Sequence, residues 1–247
     1  MLPSIPVVGE IPFVSNKDEL TKVIDSTSRN IVAESIRMLT ANLNFTLFNK
    51  EGGNKKNNKN IFIVTSTIKG EGKTLVSINT SASISYKGYS VLLVGADLRN
   101  PQIHKYIGID KSVKKGLSNY IFEENLDIDD LIIKHDSFDI LLSGAIPPNP
   151  TELLSSRKFK DFIELVGSKY DYVIFDSAPC LLVSDTFEIS KYVDLTLYVL
   201  RCNYSKKDLV NFINDTNSQG KLTNLNLVLN SVGQKSGYGY GYQYGYQ

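Results

Sequence analysis

The run Gly70-Glu71-Gly72-Lys73-Thr74 constrains the fold of this chain more than any other feature. It follows the apolar stretch Ile61-Phe62-Ile63-Val64 and precedes a helix-like segment. A phosphate-binding loop needs backbone N–H groups turned inward, glycines that tolerate the required dihedral angles, and a helix N-terminus beneath the anion. A strand, a glycine-rich turn and a helix in this order therefore predict a nucleotide-binding βα unit of an ATPase or a kinase.

The positions of this loop match the general pattern G-x-x-x-x-G-K-[ST] with one exception. In that pattern Lys73 would reach the β- and γ-phosphates of ATP, and the Thr74 hydroxyl would coordinate Mg²⁺. Thr67 occupies the place of the leading glycine, so an ordinary βα turn is the alternative. The position of the motif between a strand and a helix favours the phosphate loop. The predicted nucleotide contacts are Gly70, Glu71, Gly72, Lys73, Thr74, Leu75, Arg201 and Asn230.

The rest of the chain alternates strand-like and helix-like segments. Strand 61–65, a helix over about 74–87 and strand 90–95 form a βαβ unit. Both strands are near-continuous apolar runs, which is typical of a parallel sheet covered on both faces. Further buried strands are predicted over 138–142, 172–175, 195–200 and 225–229. The sequence thus predicts a doubly wound α/β fold, a mostly parallel sheet with helices on both faces.

Composition and proline content suggest three segments. The 247 residues, of which 42% are apolar and 21% charged, suit one α/β domain. Three prolines, Pro3, Pro6 and Pro12, indicate that residues 1–27 include an extended N-terminal arm. An amphipathic helix over about 28–48 opens a P-loop domain of residues 28–232. Residues 233–247 contain no aliphatic side chain, so we expect a disordered tyrosine-rich tail.

Charge and cysteine content limit the classes of partner and compartment. The formal net charge is +1, so net electrostatics indicate neither nucleic acid nor a membrane surface as a partner. Cys180 and Cys202 lack metal-ligand spacing, which suits a reducing compartment and a cytoplasmic location. No window approaches the roughly 20 apolar residues that cross a bilayer. A membrane partner, or a membrane-spanning part outside this sequence, stays open.

Two aspartates follow predicted strands. Because the carboxyl ends of adjacent parallel strands converge on the ligand crevice, Asp97 should face the metal and phosphates, with Arg99 as an anion contact. A helix or turn cap is the alternative for Asp97. Asp176 ends an apolar strand as in a Walker B motif, whose carboxylate holds Mg²⁺ through a water molecule. The predicted catalytic residues are Lys73, Asp97, Arg99 and Asp176, and the predicted metal ligands are Thr74, Asp97 and Asp176.

Two further polar residues end the last predicted strands. Asn230 occupies the place where related P-loop proteins contact the adenine edge, and an amide can both donate to it and accept from it. Arg201 would flank the same base. A loop-capping asparagine and a structural salt bridge of the arginine are the alternatives.

Tyrosines recur at every second position of the C-terminal tail. They are Tyr238, Tyr240, Tyr242, Tyr244 and Tyr246. We interpret them as phosphate acceptors, because only the tail gathers tyrosines where a chain could reach an active site. Stacking on nucleic acid and self-association are alternatives. No arginine or lysine follows Lys235 to hold nucleic-acid phosphates, so we expect no nucleic-acid partner.

These motifs resemble those of the bacterial tyrosine kinases (BY-kinases) associated with capsular and exopolysaccharide export. The similarity includes the segment 96–101, the proline-containing loop 142–154, the helix segment 34–37 and the tyrosine tail. It implies an ATP- and Mg²⁺-dependent autokinase in which Lys73, Thr74, Asp97 and Asp176 act on the phosphates, and which regulates polysaccharide export.

The resemblance also implies partners and a location. In this family the kinase domain is the cytoplasmic part of a transmembrane polysaccharide co-polymerase, or a separate protein switched on by a membrane activator. Because Val7–Pro12 resembles the segment after the last membrane helix, we expect a fragment of a membrane protein at the inner face of the cell membrane. Further implied partners are a phosphotyrosine phosphatase and a neighbouring subunit of a homo-oligomeric ring, whose active site receives the tail.

Two positions depart from the family pattern. The family places aspartates two apart in its Walker A′ element, and here Gly95 occupies the first position while Asp97 remains. We therefore expect impaired or rewired activity before none, with Asp97 able to take the tyrosine proton. The family's oligomerisation helix carries Glu-x-x-Arg-x-x-Arg, whereas this chain has Glu34, Arg37 and then Thr40. Glu34 and Arg37 are the predicted oligomer contacts.

Two other functions compete with the kinase. A nucleotide-binding pseudokinase scaffold of the export machinery would explain Gly95. A partition or septum-placement ATPase is disfavoured, because its signature lysine, five residues before Lys73, is replaced here by Ile68.

Overall fold

The computed structural model describes residues 5–15, 23–48, 60–109 and 115–233. Within these ranges one sheet has the strand order β1-β8-β7-β2-β6-β3-β5-β4. The strands are β1 (Val7–Pro12), β2 (Asn60–Ser66), β3 (Val91–Ala96), β4 (Ile133–Lys134), β5 (Asp139–Leu141), β6 (Tyr172–Ser177), β7 (Leu195–Arg201) and β8 (Leu225–Val232). All neighbouring strands pair in parallel except β4 and β5, which are antiparallel.

Helices connect these strands and cover both faces of the sheet. They are α1 (Ile31–Phe48), α2 (Lys73–Ser85), α3 (Ile103–Tyr106), α4 (Leu117–Phe122), α5 (Pro150–Leu154), α6 (Arg157–Lys169), α7 (Asp185–Ser190) and α8 (Leu209–Ser218). In the described ranges no helix is long and apolar enough to cross a membrane.

Alternating side chains of the central strands supply two cores. On β2, Phe62 and Val64 belong to the cluster that includes α1 and α2. Ile61 and Ile63 belong to the opposite cluster, which includes Phe159, Phe162, Ile163 and Val166 of α6. Because successive strand residues point to opposite faces, a continuous apolar run serves both cores. The prediction of a doubly wound, mostly parallel sheet is confirmed.

The segment predicted as an extended arm contains an edge strand. Residues 7–12 pair in parallel with β8, and Val8 and Ile11 are buried against α1. A Cβ on Gly9 would lie 2.8 Å from Leu39 Cδ1, so the glycine allows helix and strand to approach closely. Part of the predicted arm is therefore integral to the sheet, which its prolines did not indicate.

The start of α1 has a local cause. Asn30 Oδ1 accepts a hydrogen bond from Ala33 N (2.8 Å), so this side chain satisfies one of the free N–H groups of the first turn. The helix begins at Ile31 rather than at residue 28.

The register of the central strands sets the position of the site. Asp176 of β6 lies opposite Val64 of β2 and opposite Gly95 of β3, while Arg201 of β7 lies opposite Asn230 of β8. The carboxyl ends of these parallel strands therefore meet at one edge, where loops after β2, β3 and β6 converge.

Candidate active site

The loop between β2 and α2 has the shape of a phosphate cradle. Gly70 and Gly72 have φ angles of +92° and +102°, a left-handed region that favours glycine. A Cβ on Gly72 would collide with the Asn230 amide. No side chain caps the N-terminus of α2. The first N–H groups of α2 are thus available to an anion.

Lys73 opens α2 and lies between two aspartates. Its Nζ donates a hydrogen bond to Asp97 Oδ2 (3.0 Å) and lies 3.9 Å from Asp176 Oδ1. The three residues are 8%, 3% and 1% exposed, respectively. Burial alone would lower the pKa of Lys73, but the carboxylates of Asp176 and Asp97 raise it above its usual value. The buried ammonium therefore stays charged at neutral pH.

The Asp176 carboxylate also accepts hydrogen bonds from hydroxyl groups of α2. Thr74 Oγ1 donates to its Oδ2 (2.8 Å), and Ser77 Oγ lies 3.2 Å from its Oδ1. Burial raises the pKa of Asp176, against the opposing effect of Lys73. The sequence-based prediction did not include Ser77, although its spacing of four residues places it on the same face of α2 as Lys73.

Asp97 makes the turn cap that the sequence left open as an alternative, and it also contacts Lys73. One carboxylate oxygen, Oδ2, accepts a hydrogen bond from Lys73 Nζ, and the other, Oδ1, accepts one from Asn100 N (2.9 Å). The second contact caps the turn that follows β3. A single side chain thus fixes this loop and faces the buried lysine.

Arg99 lies in an ion pair that the sequence did not predict. Its Nε and Nη2 donate to the two carboxylate oxygens of Asp185 (2.7 and 3.0 Å), a buried residue of α7. The Thr151 hydroxyl donates to the same carboxylate (2.5 Å). Arg99 therefore ties the loop after β3 to α5 and α7, while its role as an anion contact stays a prediction. Neither Asp185 nor Thr151 was predicted, because this ion pair joins segments distant in sequence.

Glu71 links the phosphate loop to β8 and to the segment after β7. Its buried carboxylate accepts hydrogen bonds from Ile68 N (2.7 Å) and from the Ser205 hydroxyl, and its carbonyl accepts one from Asn230 Nδ2 (2.9 Å). Burial raises the pKa of Glu71 despite these hydrogen bonds. In this structure the Asn230 amide thus supports the loop, while the side chain also lines the adjoining cavity.

The end of β7 and the segment that follows it contact the loop between β2 and α2. Arg201 Nη1 donates to Gly70 O (3.2 Å), and Tyr204 OH donates to Lys69 O (3.0 Å). The Arg201 guanidinium lies 5.1 Å from the centre of the Tyr204 ring. Arg201 therefore has a hydrogen bond and a cation–π contact rather than the salt bridge considered as an alternative.

A cavity of about 500 Å³ adjoins these residues, a volume in the usual range of small-molecule sites. Its lining includes Lys73, Thr74, Leu75, Asp97, Arg201 and Asn230. The half-buried Tyr106 also lines it and was not predicted. Burial and the Asp176 carboxylate raise the pKa of Tyr106, so its hydroxyl stays neutral. Across the described ranges, no cluster of three or more His, Cys, Asp or Glu side chains could hold a metal alone.

Gly95 lies at a crowded point beside this site. A Cβ at this position would be 2.7 Å from Ser143 Oγ and 3.0 Å from Ser143 N. Ser143 is buried, so it cannot move aside into solvent without disturbing its loop. The absence of an aspartate at position 95 thus goes together with the close approach of Ser143.

The predicted oligomer contacts lie on α1 and are not part of the cavity lining. Arg37 pairs with Glu34 and donates through Nη2 to Ser28 O (2.5 Å). Thr40, which stands in place of the family's second arginine, is buried and contacts Ser83 Oγ (3.1 Å). The five tail tyrosines predicted as acceptors lie outside the described residues.

Comparisons with known proteins agree with this geometry. The model of a family described as AAA domain matches residues 59–229. A protein of Klebsiella pneumoniae named as a tyrosine-protein kinase in the cps region is 32% identical over 209 residues, covering 80% of this chain and 28% of that protein. The tyrosine-protein kinase CpsD of Streptococcus agalactiae is 32% identical over 181 residues, covering 72% of this chain and 77% of CpsD.

A solved structure matches the whole domain. The kinase domain of the Escherichia coli tyrosine kinase ETK superposes with a TM-score of 0.79 at 26% identity, covering 96% of this chain and 95% of that domain. The chain spans little more than a quarter of the length of the Klebsiella protein and about three quarters of CpsD.

Proposed function

The chain belongs to the family of bacterial tyrosine-protein kinases, and on that premise we propose that it transfers the γ-phosphoryl group of ATP to tyrosines of its own C-terminal tail. The observation that carries this proposal is the buried Lys73 between Asp97 and Asp176 at the N-terminus of α2. A lysine in this place offers a positive charge where phosphates would lie.

The residues around the cavity fit ATP and Mg²⁺. The left-handed glycines and the uncapped start of α2 suit a triphosphate, and the Thr74 hydroxyl and the Asp176 carboxylate are oxygen ligands that suit Mg²⁺. The absence of a larger acidic cluster from the described residues is compatible with Mg²⁺, which usually keeps waters and substrate phosphates as ligands. Bound Mg²⁺ would neutralise charge on the phosphates.

Each polar residue then has a separate role in the transfer. Lys73 would stabilise the transferring group, and Thr74 and Asp176 would hold the metal. The acceptor oxygen would form its bond to phosphorus as ADP leaves, and Asp97 would take the phenolic proton. Tyrosine has an unperturbed pKa of about 10, so a carboxylate that accepts this proton assists the reaction, although alignment and charge neutralisation contribute most.

We further propose that acceptor and active site belong to different subunits of a homo-oligomer. Three large apolar residues, Ile31, Met38 and Phe45, recur every seven residues on α1 and are 63%, 67% and 69% exposed. The Glu34–Arg37 pair lies on the same helix. An exposed apolar stripe of this kind suits contact with a second copy, after which a neighbour's tail could enter the cavity.

The cellular role follows from the family. We propose that the protein regulates capsular or exopolysaccharide synthesis and export at the inner face of the cell membrane, where it would act with a polysaccharide co-polymerase region or a membrane activator. A phosphotyrosine phosphatase would reverse the modification. Each tail phosphate would add about −1.5 to −2 charge, and mutual repulsion would then favour dispersal of the subunits.

Mass spectrometry of the purified chain after incubation with ATP and Mg²⁺ tests the proposal. We expect mass gains confined to Tyr238–Tyr246, absent from Lys73→Met and from a chain truncated before Tyr238. Lys160→Met, a change on the exposed surface of α6, is the matched control and should keep the mass gain.

ATP binding without any mass gain, with or without a membrane activator, would favour the pseudokinase scaffold, for which Gly95 is the specific observation. Release of inorganic phosphate without tail modification would favour the partition-type ATPase.

A further inference from the structure

A second cavity lies beside the first. It has a volume of about 360 Å³ and lies between the loop after β3, helix α3 and the loop after β5. Its lining includes Arg99, Asn100, Gln102, Ile103, Lys105 and Ser143. Arg99, Asn100 and Gln102 line both cavities, so a ligand that extends out of the first meets the second.

The charged side chains that line this second cavity are basic. The basic side chains Arg99 and Lys105 line it, and none of its described lining residues is acidic. Arg99 is balanced by Asp185, whereas Lys105 Nζ donates to the neutral Gln102 Oε1 (2.8 Å). A cationic cavity with the amides of Asn100 and Gln102 and the hydroxyl of Ser143 suits a phosphate group.

Gly95 lies directly behind this lining. A Cβ at position 95 would approach Ser143 Oγ to 2.7 Å and Ile103 Cδ1 to 3.4 Å, and both residues line the second cavity. An acidic side chain at position 95 would therefore press on the wall of the cavity and bring negative charge to it. Glycine keeps this wall intact and the cavity cationic.

The spacing of the tail tyrosines would place neighbouring ones on the same side of an extended chain. Alternate residues of an extended chain point to the same side and lie about 6.6 Å apart along the chain. The five tyrosines Tyr238 to Tyr246 occupy alternate positions. When one of them lies in the first cavity as the acceptor, its neighbour two residues away lies within reach of the second.

We propose that the second cavity is a subsite for a phosphorylated tail tyrosine two residues from the acceptor. The inference rests on the proposed kinase function, because an earlier transfer supplies the phosphate. A phosphotyrosine carries about −1.5 to −2 charge at neutral pH and three acceptor oxygens. Its binding beside Lys105 holds the next tyrosine at the first cavity, so one phosphorylation promotes that of a neighbour.

Peptide kinetics test the subsite directly. The enzyme is the full chain with all five tail tyrosines changed to phenylalanine, and the substrates are peptides of residues 237–247 in which Tyr242 is the acceptor and the other tyrosines are phenylalanine. Further peptides carry phosphotyrosine at position 240, 244 or 246. We expect phosphotyrosine at 240 or 244 to raise kcat/KM about tenfold, the effect of one charge-assisted contact, and phosphotyrosine at 246 to do so far less. No increase at 240 or 244, or an equal increase at 246, overturns the proposal.

Two lysine variants identify the place of binding. Lys105→Glu should bring the ratio of primed to unprimed kcat/KM close to one, whereas Lys160→Glu, an equal charge change on exposed α6, should keep the ratio. A ratio that Lys105→Glu leaves unchanged overturns the subsite. Phosphorylation of the unprimed peptide without any priming effect removes the subsite alone, while ATP binding without phosphorylation of any peptide removes the proposed kinase function as well.

Discussion

The carboxyl ends of the central strands and the outer face of α1 differ in how completely their side chains are buried within a single chain. At the strand ends, Lys73, Asp97 and Asp176 are almost fully buried and contact one another. On α1, Ile31, Met38 and Phe45 keep most of their surface in solvent. The difference indicates that the fold of one chain already brings the ionic groups together, whereas it leaves an apolar stripe of α1 uncovered.

The two regions also differ in what their charges contribute. Buried ions attract one another strongly, and removal of one partner leaves an unpaired charge at high cost. The exposed Glu34–Arg37 pair contributes no more than about 1 kcal/mol. Substitutions at the strand ends should therefore affect chemistry within each chain, and substitutions on α1 should affect assembly.

The largest effect is expected from Asp176→Asn, which keeps the shape of the side chain and removes its charge. We expect the initial rate of tail phosphorylation to fall about 10³-fold, because a charged group that orders the phosphate site is lost. Quantitative mass spectrometry at saturating ATP measures this rate. Asp161→Asn on exposed α6 is the control, and a rate within tenfold of the parent chain would contradict the role of Asp176.

A pair of glycine variants separates crowding from backbone strain. Gly72 and Gly88 both have left-handed φ angles, but a Cβ on Gly72 would collide with Asn230 while one on Gly88 would meet nothing within 4 Å. We expect Gly72→Ala to weaken ATP binding by about tenfold to a hundredfold in calorimetry. Gly88→Ala should lower the free energy of unfolding by about 1 kcal/mol and leave the Kd for ATP unchanged. Equal loss of ATP affinity in both variants would refute the close fit of loop and β8.

The apolar stripe on α1 is tested by Met38→Glu. We expect self-association, measured by sedimentation equilibrium with Mg²⁺ and an ATP analogue, to weaken about tenfold or more, since burial of a methionine contributes about 1.5–3 kcal/mol. The unfolding free energy of the monomer should change by less than about 0.5 kcal/mol. Phe122→Glu, at a still more exposed apolar residue of α4, should leave association intact, and the same loss in both variants would remove α1 as the interface.

The smallest effect concerns Glu71, whose pKa burial raises. Below the pKa that Glu71 has in the unfolded chain, its carboxyl group is neutral in both the folded and the unfolded chain. As pH rises through the higher pKa of Glu71 in the folded chain, the folded chain loses stability relative to the unfolded chain. Glu71→Gln removes this pH-dependent loss of stability. The hydrogen bond to Ser205 can be kept, because the amide introduced at position 71 can donate to the Ser205 hydroxyl group. We expect the variant to gain in Tm over the parent chain by a few degrees at most, and by more at pH 8 than at pH 5.

Glu123 is the control with the opposite sign. Hydrogen bonds from Lys115 and Asn119 lower the pKa of Glu123, so Glu123→Gln should lose Tm relative to the parent chain as pH rises to about 4.3, the ordinary pKa of a glutamate, and show little further change from pH 5 to pH 8. A Glu71→Gln advantage that is greater at pH 5 than at pH 8 would contradict the assignment of a buried, destabilised carboxylate.

Much of the nucleotide site could be predicted from sequence because its motifs are local. The βαβ order predicts that strand ends converge, and this convergence brings Lys73, Thr74, Asp97 and Asp176 together. The predicted family is confirmed by the comparisons, through motifs that lie in the same loops. The glycines near Lys73 were predictable for the same reason, since their left-handed angles serve a turn of five residues.

The remainder of the site depends on tertiary contacts that no local sequence pattern predicts. Arg99 pairs with Asp185, which is 86 residues away in sequence, and Ser205 reaches Glu71 across 134 residues. Tyr106 lies on a helix of four residues, too short for periodicity to indicate its direction. The pairing of β1 with β8 was missed because prolines indicate extended backbone but not its partner.

That pairing also has a consequence for how the chain folds as it is made. Val7 of β1 pairs with Leu227 of β8, so the first strand must wait for about 220 further residues. At a synthesis rate of about 5–20 residues per second, this interval is about 10–40 s. During this time the apolar side chains of Val8 and Ile11 and the backbone edge of β1 lack their native strand partner, and an unpaired strand edge of this kind is open to non-native pairing.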